Sequence, residues 1–454
     1  MLNEPASSID DRPAARSSVR YPNQLSGETS PLHDQIRQMV MKVFMIEREM
    51  FARDDDDSER NMRSPMLMLP DGRLTAAFEG RLLIDSEAAY AQLDEAFKPI
   101  NHIPLFRVEN GKQIIYAVSG RVVVRPRPIW LNVVLFIATV ISVLMLGTIQ
   151  AINEIADGSE AIAQPYIDNF WLELWRGLPY AVCILLILGA HELGHYFAAR
   201  RHKLAVTPPY FIPLPPLLVP TPIGTMGAFI QLREPMRNRK VLFDVGASGP
   251  FIGLIFAVPI LIIGLATSQV NTVTPGGLVE GNSLLYAGIK TIVFGRFLPS
   301  GGQDVFLNQV AWAGWVGLLV TALNLMPVGQ LDGGHILYSL IGERARLLYY
   351  PVLIAMTVLT FTVSDSWVFW LALLLIFGRM YAAPLDMITP LDRRRRALAV
   401  IGLLVFVITF VPIPFSYVGE GADPTPRQSA FMAAQWLLPL SALLMAAWTR
   451  RRAR

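Results

Sequence analysis

Up to about Arg127 the chain alternates short apolar runs with charged ones, and beyond it apolar positions merge into stretches of about twenty residues. A helix needs about 20 apolar residues to cross roughly 30 Å of hydrocarbon. The runs therefore predict membrane spans at 129–149, 174–198, 245–267, 307–327, 347–364, 367–388, 397–415 and 428–449. Only Ser364-Asp365-Ser366 separates the fifth from the sixth, which predicts a hairpin of tilted helices or a less regular pair. The expected fold class is a polytopic α-helical membrane protein of about eight transmembrane helices.

The polar front end reads differently. Residues 1–33 are rich in Ser, Pro and Arg, bury too little apolar surface to offset ordering entropy, and are expected to be a disordered tail. From Asp34 to Phe51, Ile36, Val40, Val43 and Ile46 follow a weak helical period that the acid run Asp54–Asp57 ends. Residues 66–124 predict a small α+β module. It has strands at LMLP and RLTAAFEGRLL, a helix from Ser86 to about Phe97 behind Asp85, and a hairpin at Asn110-Gly111. No nucleophile, metal cluster or phosphate loop stands in it, so packing or partner binding is its expected role.

Composition sharpens this. Of 454 residues 53% are apolar and 17% charged, with a mean hydropathy of +0.41, against about 25% charged in soluble chains. That balance argues against a water-soluble enzyme. A net charge of +3 is too small to argue for nucleic acid as a partner; the lipid bilayer is the expected surrounding. The placement of positive residues matters more. With the N-terminus inside, the flanks that face the cytoplasm hold twenty Lys and Arg, among them Arg200, Arg201, Arg237, Arg239 and Arg393–Arg396, and the opposite flanks only Arg176, Lys290, Arg296 and Arg427. That bias predicts both termini in the cytoplasm. Residues 1–30 lack a signal-peptide apolar core and carry Glu4, Asp10, Asp11 and Glu28, which favours a bacterial plasma membrane over a plastid. The single cysteine, Cys183, excludes an internal disulfide.

Chemistry concentrates in the second span, where AHELGHYFAARR contains His191, Glu192 and His195 as HExxH. Residues four apart share a helical face, so both imidazoles can hold one Zn²⁺ while Glu192 reaches a water beside it. Random order of 6 His and 17 Glu would give the pattern about 0.003 times, so chance is a poor explanation. A catalytic zinc takes three protein ligands. The best source of the third is NLMPVGQLDGGH at 324–335, where Pro327 breaks the helix and Gly329, Gly333 and Gly334 allow a tight backbone that turns a carboxylate inward. Asp332 is the choice because a carboxylate also balances the metal's charge; His335 is the competitor. The second and fourth spans run the same way, which brings HELGH and LDGG to a similar depth.

These residues closely resemble the site-2 protease family of intramembrane zinc metalloproteases, which joins HExxH on one membrane helix to N-x-x-P-x-x-x-L-D-G on a later one. Asn324, Pro327, Leu331, Asp332 and Gly333 match the second motif. GTMGAFIQLREPMRNRKVLFDVGASGPFIG at 224–253 looks like the corresponding stretch of the plastid and cyanobacterial branch named for ethylene-dependent gravitropism-deficient, yellow-green plants. The resemblance spans about residues 60–390. It implies zinc on His191, His195 and Asp332, Glu192 as general base, Asn324 assisting at the substrate, and a transmembrane protein as that substrate, cut near the cytoplasmic face. The expected domains are then 1–65, tail and short helix; 66–125, cytoplasmic α+β module; 126–390, membrane-embedded metalloprotease core; and 391–454, two further transmembrane helices.

A substrate helix must unwind before it can be cut. Seven prolines between Thr207 and Leu232 forbid a regular helix, and GTMGAFIQL then reads as a strand, Gly224 to Leu232, whose edge could pair with an extended substrate. Gly249-Pro250 and Gly253 in the third span are expected to allow close packing against the metal helix, Cys183 is ordinary apolar filling, and Arg379 is expected to pair with Asp386 or to snorkel. The competing class is a non-proteolytic metal-binding membrane protein, a transporter or chaperone on the same scaffold. Paired repeats with broken helices, the usual transporter signature, are not found in the sequence.

Overall fold

A computed structural model describes residues 31–51, 74–122, 127–218, 221–273, 278–363 and 367–417. The tail at 1–30, the LMLP strand, the acid run 54–57, the 364–366 break and the eighth span lie outside the described residues. The chain divides into two compact units, Met1–Arg121 and Val122–Arg454.

In the first unit, α1 (Pro31–Met41) leads into β1 (Phe44–Phe51), followed by β2 (Leu74–Leu82), α2 (Ser86–Phe97), β3 (His102–Glu109) and β4 (Lys112–Ser119). The strands form one antiparallel sheet in the order β1-β2-β4-β3. Asp85 accepts from the N–H groups of Glu87 and Ala88 and starts α2. Asn110 and Gly111, both at positive φ, turn β3 into β4. The helical period from Asp34 to Phe51 holds only for its first half. Ile36 and Val40 are buried on α1, whereas Phe44 onward pairs with β2, so sheet pairing overrides a weak helical pattern. Residues 31–33, assigned to the tail, belong to α1.

The second unit is a helical membrane body. Its elements are α3 (Trp130–Ala156), α4 (Glu160–Asp168), α5 (Leu178–Arg201), β5 (Tyr210–Pro213), β6 (Thr225–Phe229), α6 (Arg239–Ala266), β7 (Gln269–Thr272), β8 (Leu278–Glu280), α7 (Leu284–Phe294), β9 (Gln303–Phe306), α8 (Gln309–Asn324), α9 (Asp332–Ile341), α10 (Tyr349–Thr362), α11 (Val368–Phe377), α12 (Arg393–Thr409) and β10 (Phe415–Tyr417). Among the described residues four helical stretches are long and apolar enough to cross a membrane: 130–156, 174–201, 239–266 and 332–362. Their outer faces are apolar and open. Val133, Ile137 and Ile141 on α3, and Val182, Leu186, Leu193 and Phe197 on α5, are exposed, as side chains facing lipid must be.

Several expected spans change shape. The third begins at Arg239 rather than Val245, because Asn238 caps it by accepting from the Val241 N–H. The fourth is cut short: α8 stops at Asn324, about 24 Å of helix at 1.5 Å per residue, ahead of Pro327. The chain restarts as α9 at Asp332 and runs through a 3₁₀ stretch, Gly342–Leu348, into α10, so the expected fifth span is the second half of one helical stretch. The expected sixth span is helical only to Phe377; residues 378–392 are irregular and carry the buried Asp386, which accepts from Ile388 and Thr389 N–H groups. Arg379 does not pair with Asp386; its guanidinium lies 5.3 and 5.6 Å from the Tyr349 and Tyr350 rings.

The core sits where α5, α6 and α8 pack on one another, around Ile184, Ile187, Ala257, Leu261, Trp315 and Leu318. Small side chains on these helices bring their axes close. That proximity makes a buried site between them possible.

Candidate metal centre

Local chemistry fixes α5. Pro179 sits in its first turn, where a missing N–H costs nothing. The Gln309 side chain at the start of α8 accepts from the Tyr180 N–H and donates to the Arg176 carbonyl, tying the two helix starts together. One turn apart on α5, His191 and His195 are both buried and face α6. The approach depends on two glycines of α6: a Cβ on Gly249 would stand 2.1 Å from His195 Nε2, and one on Gly253 3.2 Å from His191 Nδ1. The expected close packing of this glycine pair against the metal helix is present.

His195 Nδ1 lies 2.6 Å from the Val245 carbonyl oxygen. A carbonyl only accepts, so Nδ1 carries the proton and Nε2 offers its lone pair to the site. Asp332 arrives in the first turn of α9, where the helix N-terminus favours a negative charge. Its Oδ2 is 3.2 Å from His191 Nε2 and 3.3 Å from His195 Nε2, and the two Nε2 atoms are 3.2 Å apart. Four ligands at 2.0–2.1 Å around a tetrahedral zinc stand about 3.3–3.4 Å from one another. The triangle therefore has the edge length of a zinc site, with two imidazoles and one carboxylate as donors. Among the described residues it is the group of His, Cys, Asp and Glu that could hold a metal ion.

His335, the competitor for third ligand, is not part of that group; its Cβ lies against α6 at Gly246. Glu192 is buried beside the triangle without belonging to it, close enough for His195 and Asp332 to act on its charge. Asn324, the last residue of α8, brings Nδ2 to 3.4 Å from His191 Nε2. All five residues singled out in the sequence are thus gathered at one place.

The proline-rich segment is held by donors that sequence reasoning missed. Asn132 of α3 donates to the Pro208 and Pro209 carbonyls at 2.8 and 3.1 Å. Trp312 Nε1 donates to Pro222 at 2.9 Å, Tyr180 OH to Ile223 at 2.6 Å, and Ser142 Oγ to Gly224 at 2.6 Å. Irregular backbone at membrane depth survives only if such groups are satisfied, and polar tips on otherwise apolar spans were the available signal. These bonds deliver the chain into β6, which pairs antiparallel with β5 and packs against α5. Among the described residues no strand pairs with the other edge of β6.

Residues 179–362 match the family described as Peptidase family M50. The chain is 31% identical over 257 residues to the probable zinc metalloprotease EGY2, chloroplastic, of Arabidopsis thaliana, covering 55% of this chain and 45% of that protein. It is 28% identical over 325 residues to the Arabidopsis probable zinc metalloprotease EGY1, chloroplastic (67% and 57%), and 27% identical over 371 residues to EGY1 of Oryza sativa subsp. japonica (74% and 62%). The chain thus spans about half to three fifths of the length of these relatives. Residues 179–362, with the HExxH and N-x-x-P-x-x-x-L-D-G motifs, are thus similar to the site-2 protease family, peptidase family M50. The relatives it resembles are named zinc metalloproteases, and Zn²⁺ is the metal that those names and the donor set both imply.

Proposed function

We propose that this chain is an intramembrane zinc metalloendopeptidase that hydrolyses a peptide bond in a membrane-spanning protein near the cytoplasmic face. The observation that carries the reading is the buried Glu192 carboxylate, which stands beside a ligand triangle it does not join, on a helix that packs against β6. A mere metal holder has no use for that carboxylate.

His191, His195 and Asp332 would hold the ion, and zinc bound there would supply Lewis-acid polarisation of the scissile carbonyl and acidify an attacking water. Glu192 takes the proton of that water and passes it to the leaving amine. The Asn324 amide, 3.4 Å from His191 Nε2, donates to the oxygen that gains charge. The free edge of β6 takes the substrate as an added strand, which draws the scissile bond out of its helix and exposes its carbonyl. Burial of the site keeps bulk water from the bond being cut.

The excess of Lys and Arg on one set of flanks supports both termini on the cytoplasmic side, with about eight spans in all. Charge bias assigns a side of the membrane, not an organelle, and the relatives quoted above are named as chloroplastic.

The test pairs metal analysis of the purified full chain with a comparison of membrane-derived peptides in cells carrying wild type or Glu192→Gln. Zinc retained and peptides lost in the variant supports the enzyme. Identical peptide profiles favour a non-proteolytic metal-binding protein.

A further inference from the structure

A second polar cluster lies beside the metal triangle. Arg395, near the start of α12, grips the Asp244 carboxylate with two parallel bonds, Nε to Oδ1 and Nη2 to Oδ2, each 2.7 Å. His202, the cap of α5, reaches Asp244 Oδ2 at 2.8 Å. Arg395 also bonds Asp392, which in turn caps α12 by accepting from the Arg395 N–H. One carboxylate on α6 thus joins the end of the metal helix to a helix that lies beyond residues 179–362.

Asp244 is followed by Val245, whose carbonyl accepts from His195 Nδ1 at 2.6 Å. The ring orientation of His195 therefore depends on the height and rotation of α6 at one peptide unit, and the side chain preceding that unit is the one that is clamped. Side-chain exposures of 31% for Arg395, 23% for Asp244 and 24% for His202 leave the network mostly out of water. Bidentate Arg–carboxylate pairs of this kind are geometrically demanding, and Lys cannot reproduce their two-point hold.

We propose that Arg395, acting through Asp244 and Val245, is a positioning residue for the zinc ligand His195, so that α12 tunes metal affinity from outside the matched domain. The proposal rests on the zinc-site reading above. Loss of the clamp frees α6 to shift against α5, the Val245 carbonyl leaves its optimum, and the imidazole loses its fixed direction. Partners of metal-bound histidines typically govern metal affinity by 10–100-fold.

The test uses the purified full-length protein in detergent. Zinc affinity is measured by chelator competition and ligand geometry by the visible spectrum of the Co²⁺-loaded protein, for wild type, Arg395→Ala, Arg395→Lys, Asp244→Asn and the exposed control Arg394→Ala. Arg395→Ala and Asp244→Asn are expected to bind zinc about 10–100-fold more weakly with an altered Co²⁺ spectrum. Arg395→Lys, which keeps the charge and the stem, falls between, and Arg394→Ala matches wild type. Excess zinc restores substrate cleavage by Arg395→Ala, a rescue that a merely structural role would not give. Should Arg395→Ala fail to fold, Arg395→Lys decides: wild-type affinity and spectrum in the variant overturn the proposal. A wild-type protein that binds no zinc overturns the underlying reading instead.

Discussion

A Cβ on Gly249 would stand 2.1 Å from Nε2 of His195, so α6 passes the metal helix at a distance only hydrogen permits. The atom it would strike is the one that points into the ligand triangle. Gly249→Ala is expected to lower the zinc content of the purified protein at least about tenfold, as other disruptions beside ligating histidines do. Metal analysis per chain checks this; a full complement of zinc in the alanine variant would contradict it.

Glu192→Gln separates binding from chemistry. The amide is nearly the same size and Glu192 lies outside the triangle, so zinc stays bound, whereas proton transfer is lost. Cleavage of a transmembrane substrate is expected to fall by about 10²–10⁴. Equal rates for the two proteins in a detergent assay would remove Glu192 from the mechanism.

The unpaired edge of β6 gives a third expectation. Proline at Ala228, which lies opposite Phe211 in the β5–β6 ladder, removes a backbone donor and narrows the strand's conformations. Ala228→Pro is expected to lower cleavage of a transmembrane substrate at least about tenfold with zinc content unchanged. Undiminished cleavage argues that the strand does not hold substrate.

The candidate metal centre was legible because its side chains stand at fixed spacing. His191 and His195 announce themselves four residues apart, and Asp332 stands out as a charge behind Pro327 in an apolar run. Gly249 and Gly253 were readable as a close-packing face for the same reason. What sequence pattern could not supply was backbone: the Val245 carbonyl that sets the His195 tautomer, and the Pro208 and Pro222 carbonyls that find Asn132 and Trp312. Long-range pairs were equally hidden. Asp244 and Arg395 are 151 residues apart, and the Arg393–Arg396 run reads only as a membrane-side charge signal until α12 is packed. Span boundaries moved where a cap or a break intervened, at Asn238 and at Pro327, because hydropathy measures apolar length and not where hydrogen bonding stops.

Away from the metal, Lys290 is fully buried with Nζ 2.8 Å from Asp304 and 3.7 Å from Glu280, which also accepts from Tyr286 OH at 2.7 Å. One ammonium serves two carboxylates. Burial first, then the nearby Asp304, pushes the Glu280 carboxyl above its ordinary range, against the pull of Lys290. As pH rises above the usual carboxylate value, the unfolded chain releases a proton that folded Glu280 retains, so stability falls toward neutrality. Melting temperatures in detergent are expected to decline between about pH 5 and about pH 8 in wild type, and to decline less in Glu280→Gln. An identical slope in the variant would acquit Glu280.

The most direct measurement is zinc X-ray absorption on the purified full-length protein. Two imidazole nitrogens and carboxylate oxygen at about 2.0–2.1 Å, one zinc per chain, and loss of that zinc on Asp332→Ala are the predicted result. Zinc that stays bound with an unchanged spectrum after Asp332→Ala, or a protein that carries none, would contradict the account.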